Sequence, residues 1–247
     1  SMFRSLVQDV ANFVYPPCCV SCRVGAGDAA FCSTCEGELA ALATASACDR
    51  CAAPIPDGSA CPQCGGAGIH PFGKIVALGA YRDPLRKTIH GMKYHRRWPV
   101  AEILADQMLA QERVRQLLDE TDVLVPVPLH WSRQILRGYN QADCLARRLA
   151  QYRLSLRVAY PIVRLKNTAS QTVVRSIADR DANLRFAFGL VDAKAVRGKR
   201  VTLVDDVITT AATLKAAARA MEEADLAAIN GVVLAVADPK RRDFQVV

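Results

Sequence analysis

The chain has 247 residues, 51% of them hydrophobic, and a formal net charge of +8. This length suits one large domain or two modest ones. No apolar run approaches the roughly 20 residues of a membrane-spanning helix, so no transmembrane segment is expected. Residues 1–74 hold 4 Lys/Arg and 6 Asp/Glu, whereas residues 75–247 hold 28 and 18. A basic surface attracts nucleic acid or phosphorylated small molecules, or simply keeps a protein soluble, and charge alone does not choose between these roles.

The first 17 residues predict a short amphipathic helix. Apolar side chains recur there at helical spacing, at Phe3, Leu6, Val7, Val10, Phe13 and Val14. Asp9 interrupts the stretch, which therefore lacks the continuous apolar centre of a signal peptide. We expect this helix to pack onto its own protein, with a membrane surface as the alternative. With no export signal found, we expect a cytoplasmic protein.

The cysteines are concentrated in the next part of the chain, because nine of the ten precede residue 65. Eight form Cys-x-x-Cys pairs, at Cys19/Cys22, Cys32/Cys35, Cys48/Cys51 and Cys61/Cys64. Nine residues separate the first pair from the second, and nine separate the third from the fourth. The unit Cys-x2-Cys-x9-Cys-x2-Cys therefore occurs twice, offset by 29 residues. Repetition at ligand spacing is a strong indication of metal binding.

This spacing favours zinc, since each Cys-x-x-Cys knuckle points two sulfurs at one ion and two knuckles complete a tetrahedral site. We predict a double zinc ribbon over residues 18–73 that holds two structural Zn²⁺ ions. Disulfides and iron–sulfur clusters are the alternatives. The repeat favours sequential sites, at 19/22/32/35 and 48/51/61/64, and leaves an interleaved arrangement open. Cys18 is a competing candidate ligand, whereas Cys144 lies in an apolar helical pattern and is expected in the core.

Residues 74–247 alternate between predicted strands and helices. The predicted strands are 74–81, 122–129, 156–165, 200–207 and 229–237, and the predicted helices are 84–94, 100–118, 140–153 and 209–224. Several strands are continuous Val/Leu runs, which indicates that helices cover them on both faces. The sequence therefore predicts an α/β fold with a parallel sheet.

The strand at 200–207 carries two adjacent acids, Asp205 and Asp206. In parallel sheets, ligands bind at the carboxyl ends of strands, and carboxylates there suit vicinal hydroxyls and hydrated Mg²⁺. The residues that follow are small and rich in hydroxyls, namely Thr209, Thr210, Ala211, Ala212 and Thr213. They begin a predicted helix whose N-terminal amides can bind a phosphate. Together these features describe a site for a ribose 5-phosphate. The alternative is an acidic pair with threonines that merely cap the helix.

The stretch "VTLVDDVITTAAT" at 201–213 resembles the signature of type I phosphoribosyltransferases, which bind 5-phosphoribosyl-1-pyrophosphate (PRPP). The resemblance extends over nearly the whole chain to the competence-associated ComF family, also called GntX-like. It rests on "PVPLHWSRQILRGYNQADCLA" (126–146), "RLKNTASQ" (164–171), "RSIADRDANLRFAF" (175–188), "GKRVTLVDDVITT" (198–210) and the four upstream cysteine pairs. It implies a type I phosphoribosyltransferase-like sheet flanked by helices over 74–247.

The resemblance also implies roles for particular residues. Asp205 and Asp206 would contact the ribose hydroxyls and the Mg²⁺-bound diphosphate, and residues 209–213 would hold the 5-phosphate. The turn after Val127–Pro128 would be a pyrophosphate loop, with Arg133 and Arg137 near the leaving group. Further family positions, without an assigned role, are Asn140, Gln141, Thr168, Gln171, Arg180 and Asn183.

One departure concerns Ala211, which stands where the family pattern has glycine. If the backbone there needs a positive φ, alanine costs roughly 1 kcal/mol and weakens the phosphate loop. The resemblance implies a phosphoribosyltransferase-like protein that binds PRPP with Mg²⁺ and is linked to DNA uptake, with an unidentified acceptor, whereas Ala211 argues against full catalytic competence. The alternatives are a non-catalytic nucleotide-sensing adaptor and a protein that handles single-stranded DNA. Single-stranded DNA and DNA-uptake proteins are accordingly candidate partners.

Overall fold

The computed structural model describes residues 18–27, 29–55, 59–94, 98–130, 135, 138–165 and 187–237. The helix predicted within residues 1–17 lies outside these ranges. Within the described part of the chain, no helix has both the length and the apolar character needed to cross a membrane.

Seven strands are described, and most contain the Val/Leu runs that predicted them. They are β1 (Ile75–Ala80), β2 (Val123–Pro126), β3 (Arg157–Val158), β4 (Ile162–Arg164), β5 (Phe188–Leu190), β6 (Arg200–Ile208) and β7 (Ala228–Val236). Five form one sheet in the order β1-β7-β6-β2-β3, and every neighbouring pair in it is parallel. β4 and β5 form a separate antiparallel pair. The predicted parallel sheet is confirmed.

Six α-helices and one 3₁₀ turn accompany the strands in the described residues. The helices are α1 (Ser33–Thr44), α2 (Leu85–Tyr94), α3 (Trp98–Leu109), α4 (Glu112–Asp119), α5 (Gln141–Ala150) and α6 (Ala212–Arg219), and the turn is Glu222–Ala224. Apolar residues of α2 to α5 pack on one face of the sheet, against Val76, Leu124 and Val232. Those of α6 pack on the other, against Val125 and Val233. Helices thus cover both faces, as the continuous apolar runs indicated.

Several predicted elements differ from those observed. The helix predicted over 100–118 is two helices that break at Gln111, whose side-chain amide donates to the Leu78 carbonyl of β1 at 2.9 Å. The segment predicted as one extended strand, 156–165, is divided between the main sheet and the small one. Neither α1 nor β5 was predicted. α1 lies within the cysteine-rich segment and closely approaches β1 at Gly79, where an added Cβ would lie 3.1 Å from the Leu42 carbonyl oxygen.

An ion pair between Asp122 and Arg200 links the amino-terminal ends of β2 and β6. Asp122, just before β2, accepts hydrogen bonds from the backbone amide and the guanidinium of Arg200, at 2.8–3.2 Å. These bonds lower the pKa of Asp122 to about 2. The register pairs Pro126 of β2 with Val204 of β6, so β6 continues past the end of β2. The carboxyl half of β6 therefore projects beyond its neighbour, at the edge where the site was predicted.

The two cysteine units pack against different parts of the sheet domain. In the first, the Ser21 hydroxyl donates to the Pro84 carbonyl at the start of α2, at 3.1 Å. In the second, the Arg50 carbonyl accepts from the Ile75 amide at 3.0 Å, and the Arg50 guanidinium donates to the Gly73 carbonyl. The second unit thus attaches at the amino end of β1, away from the carboxyl edge.

Candidate functional site

The eight paired cysteines form two groups of four. The sulfurs of Cys19, Cys22, Cys32 and Cys35 lie within 4.8 Å of one another, and so do those of Cys48, Cys51, Cys61 and Cys64. The shortest separations in each group, 3.5–3.6 Å, resemble the roughly 3.8 Å expected between sulfurs about 2.3 Å from a tetrahedral zinc ion. No disulfide joins any of the ten cysteines, all of which lie in the described residues. The arrangement is sequential, and Cys18 belongs to neither group.

The electrostatics of these groups fit a cation. Burial and the neighbouring thiols raise the pKa of Cys35 to about 12, and they also raise that of Cys51. Although burial raises the pKa of Cys19 and of Cys64, hydrogen bonds lower the two values to about 6 and about 7, respectively. Once several of the four clustered sulfurs are ionised they repel one another, and a bound metal compensates their charge. The two clusters are therefore zinc-ribbon sites suited to structural Zn²⁺, with no position left open for a substrate.

The two predicted carboxylates lie on β6, just past the point where β2 ends. Both Asp205 and Asp206 are half-buried. Oδ1 of Asp205 accepts a hydrogen bond from the Asp206 amide at 2.8 Å. Burial, followed by the adjacent charge of Asp206, raises the pKa of Asp205 to about 7. Two acids this close in a partly dry site favour a bound cation, since it relieves both desolvation and mutual repulsion.

Lys93, at the end of α2, supplies a positive charge to this pair. Its Nζ lies 3.0 Å from Oδ2 of Asp206, and the two side chains are only 21% and 17% exposed. Although burial alone lowers the pKa of Lys93, the Asp206 carboxylate more than offsets this and raises it. Arg164 on β4 adds a further positive charge that lowers the pKa of Asp205. The pattern of the sequence did not predict either basic residue.

The turn from β6 into α6, which the sequence analysis predicted as a phosphate-binding loop, contains a left-handed residue directly before the helix. Ala211 precedes the helix with φ 60° and ψ 9°, the left-handed conformation, and is buried. The condition under which alanine is unfavourable at this position is therefore met. The methyl side chain of Ala211 makes no capping hydrogen bond to the first turn of α6. The Lys215 amide donates to the Ala211 carbonyl at 2.9 Å. The amides that open α6 are thus left to an anion or to water.

The described residues of the Arg-Gly-Tyr-Asn-Gln motif at 137–141, which are 138–141, connect three elements of the fold. Asn140 caps α5 by accepting from the Ala142 amide, and its own amide donates to the Val127 carbonyl, both at 3.0 Å. The Tyr139 hydroxyl donates to the Met92 carbonyl of α2. The motif therefore ties together the end of β2, the start of α5 and the end of α2.

The structure brings together only part of the predicted ligand set. Asp205, Asp206 and residues 209–213 lie on consecutive elements, β6, the loop and α6, at the carboxyl edge of the sheet. The predicted pyrophosphate loop lies within the described residues only at its start, where the Val127 amide donates to the Val204 carbonyl at 2.9 Å. The predicted residues Arg133 and Arg137, and the family positions Thr168, Gln171, Arg180 and Asn183, lie outside the described residues.

Two family profiles match successive parts of the chain. A family profile described as phosphoribosyl transferase domain matches residues 107–245, and one described as double zinc ribbon domain matches residues 10–65. A hypoxanthine phosphoribosyl transferase of Trypanosoma cruzi is 18% identical over 61% of this chain and 69% of that chain, with a TM-score of 0.35. The family profiles define the class: a phosphoribosyltransferase-domain protein with an N-terminal double zinc ribbon.

Full-length relatives narrow the class to one family. The chain is 35% identical to Competence protein F of Haemophilus influenzae over 57% of its own length and 63% of that protein's. It is 31% identical to the DNA utilization protein YhgH of Escherichia coli over 65% of its own length and 70% of that protein's. The chain therefore belongs to the ComF family, of which Competence protein F and YhgH are members.

Proposed function

We propose that this protein binds PRPP together with Mg²⁺ at the carboxyl edge of β6. The supporting observation is one continuous unit: two half-buried acids, a left-handed Ala211 and the helix start that follows. Asp205 and Asp206 accept hydrogen bonds from the ribose hydroxyls, because anionic oxygens on a fixed strand suit vicinal donors. Residues 209–213 hold the 5-phosphate through backbone amides and threonine hydroxyls, aided by the dipole of α6.

The reaction that this site would support is displacement at the anomeric carbon of the ribose. The bond from that carbon to the pyrophosphate oxygen breaks, and its electron pair leaves with pyrophosphate. An acceptor nucleophile forms the new bond and gives up its proton. Mg²⁺, held beside Asp205 and Asp206, would neutralise charge on the leaving group. The two carboxylates orient the sugar ring and stabilise the positive charge that develops on it. Arg133 and Arg137 are proposed to assist the departing pyrophosphate.

Calorimetry with PRPP and Mg²⁺ tests the binding proposal directly. We expect the wild-type chain to bind, with a heat that disappears when Mg²⁺ is omitted and in the Asp205→Asn/Asp206→Asn variant. The change to asparagine keeps side-chain size while it removes both negative charges. Equal heats for the wild type and the double variant would rule out this site for the ligand.

The names of two relatives suggest the cellular process in which this protein acts. Competence protein F and the DNA utilization protein YhgH carry names that refer to competence and to DNA use. We propose a corresponding role in DNA uptake for this chain. The surplus of basic residues over 75–247 supports single-stranded DNA as a second ligand. Release of pyrophosphate with candidate acceptors would establish the transferase, whereas PRPP binding without release would favour a nucleotide-sensing adaptor. Single-strand affinity that falls with salt would support DNA handling.

A further inference from the structure

We propose that Lys93 is a positioning residue of the diphosphate site, which holds Asp206 in its ligand-binding orientation and lowers the negative charge that an anionic ligand meets. The inference rests on the proposed function, because it assigns the role with respect to PRPP. It starts from the 3.0 Å contact between Nζ of Lys93 and Oδ2 of Asp206. This contact joins a helix outside the 107–245 phosphoribosyltransferase match to the centre of the proposed site.

The Lys93–Asp206 ion pair differs from an ordinary surface salt bridge because it is mostly buried. Exposed pairs are screened by water and contribute little to stability or binding. Lys93 and Asp206 are 21% and 17% exposed at their side chains, so each charge has given up most of its hydration. Removal of one partner then leaves the other charge poorly compensated. Asp206 without Lys93 would be free to turn toward water.

The geometry leaves one oxygen of each carboxylate for the ligand. Lys93 holds Oδ2 of Asp206, and the Asp206 amide holds Oδ1 of Asp205. Both side chains are thus oriented before the ligand arrives, which reduces the ordering cost of binding. With both carboxylates ionised, the formal charge of the acid pair together with Lys93 is −1, and without Lys93 it would be −2. An anionic sugar diphosphate is repelled less by the first arrangement.

Contacts at both ends of α2 fix the position of Lys93. Ser21, in the knuckle between Cys19 and Cys22, donates to the Pro84 carbonyl just before the helix starts. At the other end, the Tyr139 hydroxyl donates to the carbonyl of Met92, the residue next to Lys93. The first zinc ribbon and the Tyr139 motif therefore jointly place this charge.

Titration calorimetry of full-length variants with Mg²⁺ and PRPP tests the proposal. Lys93→Met removes the charge and keeps most of the side-chain length. We expect it to weaken PRPP binding about tenfold, an effect between the small one of an exposed ion pair and the larger one of a fully buried pair. Lys93→Arg restores a cation and should recover part of the affinity, which a purely packing role for the lysine would not produce.

Lys87→Met is the matched control. Lys87 lies on the same helix and pairs with Asp83 at 3.1 Å, but its side chain is 55% exposed. The change in net charge is identical, so we expect affinity within about twofold of the wild type. Failure of the wild type to bind PRPP would overturn the proposed function and this inference together. Wild-type binding with unchanged or tighter binding in Lys93→Met would overturn the role of Lys93 alone.

Discussion

At the scale of single residues, the backbone of Ala211 is strained, whereas its side chain is favourably buried. Its φ of 60° places an L-amino acid in the left-handed region, which normally favours glycine. The same conformation turns the chain sharply from β6 into α6. The methyl group of Ala211 is buried in the cluster under α6, which partly compensates for the strain.

Ala211→Gly should raise the free energy of unfolding, by less than about 1 kcal/mol, because it removes the left-handed penalty but also loses the buried methyl group. Chemical denaturation would measure this change. Ala216→Gly provides the control, since Ala216 is buried within α6 and glycine there should lower the free energy of unfolding by about 1 kcal/mol. If the two substitutions destabilised the chain equally, the strain assigned to Ala211 would not exist.

Single residues also mark the limit of sequence reasoning. Asp205 and Asp206 could be placed because two acids at the end of an apolar strand are unusual. Lys93 could not, since nothing in "GMKY" distinguishes it from a solvated lysine. Only the packing of α2 against β6 brings its ammonium group to Asp206. Pair contacts between distant segments depend on tertiary geometry that local patterns do not contain.

At the scale of elements, predictions succeeded where one physical signal dominated. β1, β2, β6 and β7 followed from continuous Val/Leu runs, and α5 from its apolar spacing. The helix α1 was missed because the surrounding cysteine motifs indicated a small metal-bound segment with little regular structure. Leu39 of α1 is nevertheless buried in the main core. Division of the 100–118 helix depends on the Gln111 contact to β1, which no local pattern contains.

The two cysteine groups predict a defined metal content. We expect two zinc ions per chain by metal analysis of the purified protein, since each group offers four clustered sulfurs. Metal binding supplies folding free energy on the order of 10 kcal/mol per site, so a strong chelator should unfold the ribbons. Cys64→Ser should reduce the content to one ion.

Cys18→Ser is the control for this measurement. Cys18 neighbours a ligand but belongs to neither group, so its replacement should leave both ions in place. A content of one zinc ion in the wild type would remove one of the two sites. Iron in place of zinc would instead support the cluster alternative.

At the scale of the whole molecule, the cysteine-rich part and the sheet domain differ in charge, and the two ribbons contact the sheet domain at different places. Residues 1–74 are acidic on balance, and two sites of four thiolates would each add a net charge of −2 when zinc is bound. The surplus of basic residues belongs to the remainder of the chain, which contains the proposed phosphate-binding edge. The first ribbon contacts α2 and, through it, Lys93, whereas the second attaches at the amino end of β1. We propose residue 73/74 as the boundary between the two parts.

The position of PRPP in a crystal soaked with the ligand and Mg²⁺ is the most direct test of the proposed site. We expect the 5-phosphate to lie within hydrogen-bonding distance of the amides that open α6, with the ribose hydroxyls against Asp205 and Asp206. An ordered ligand bound elsewhere on the chain, with neither Asp205 nor Asp206 in contact with it, would contradict this assignment.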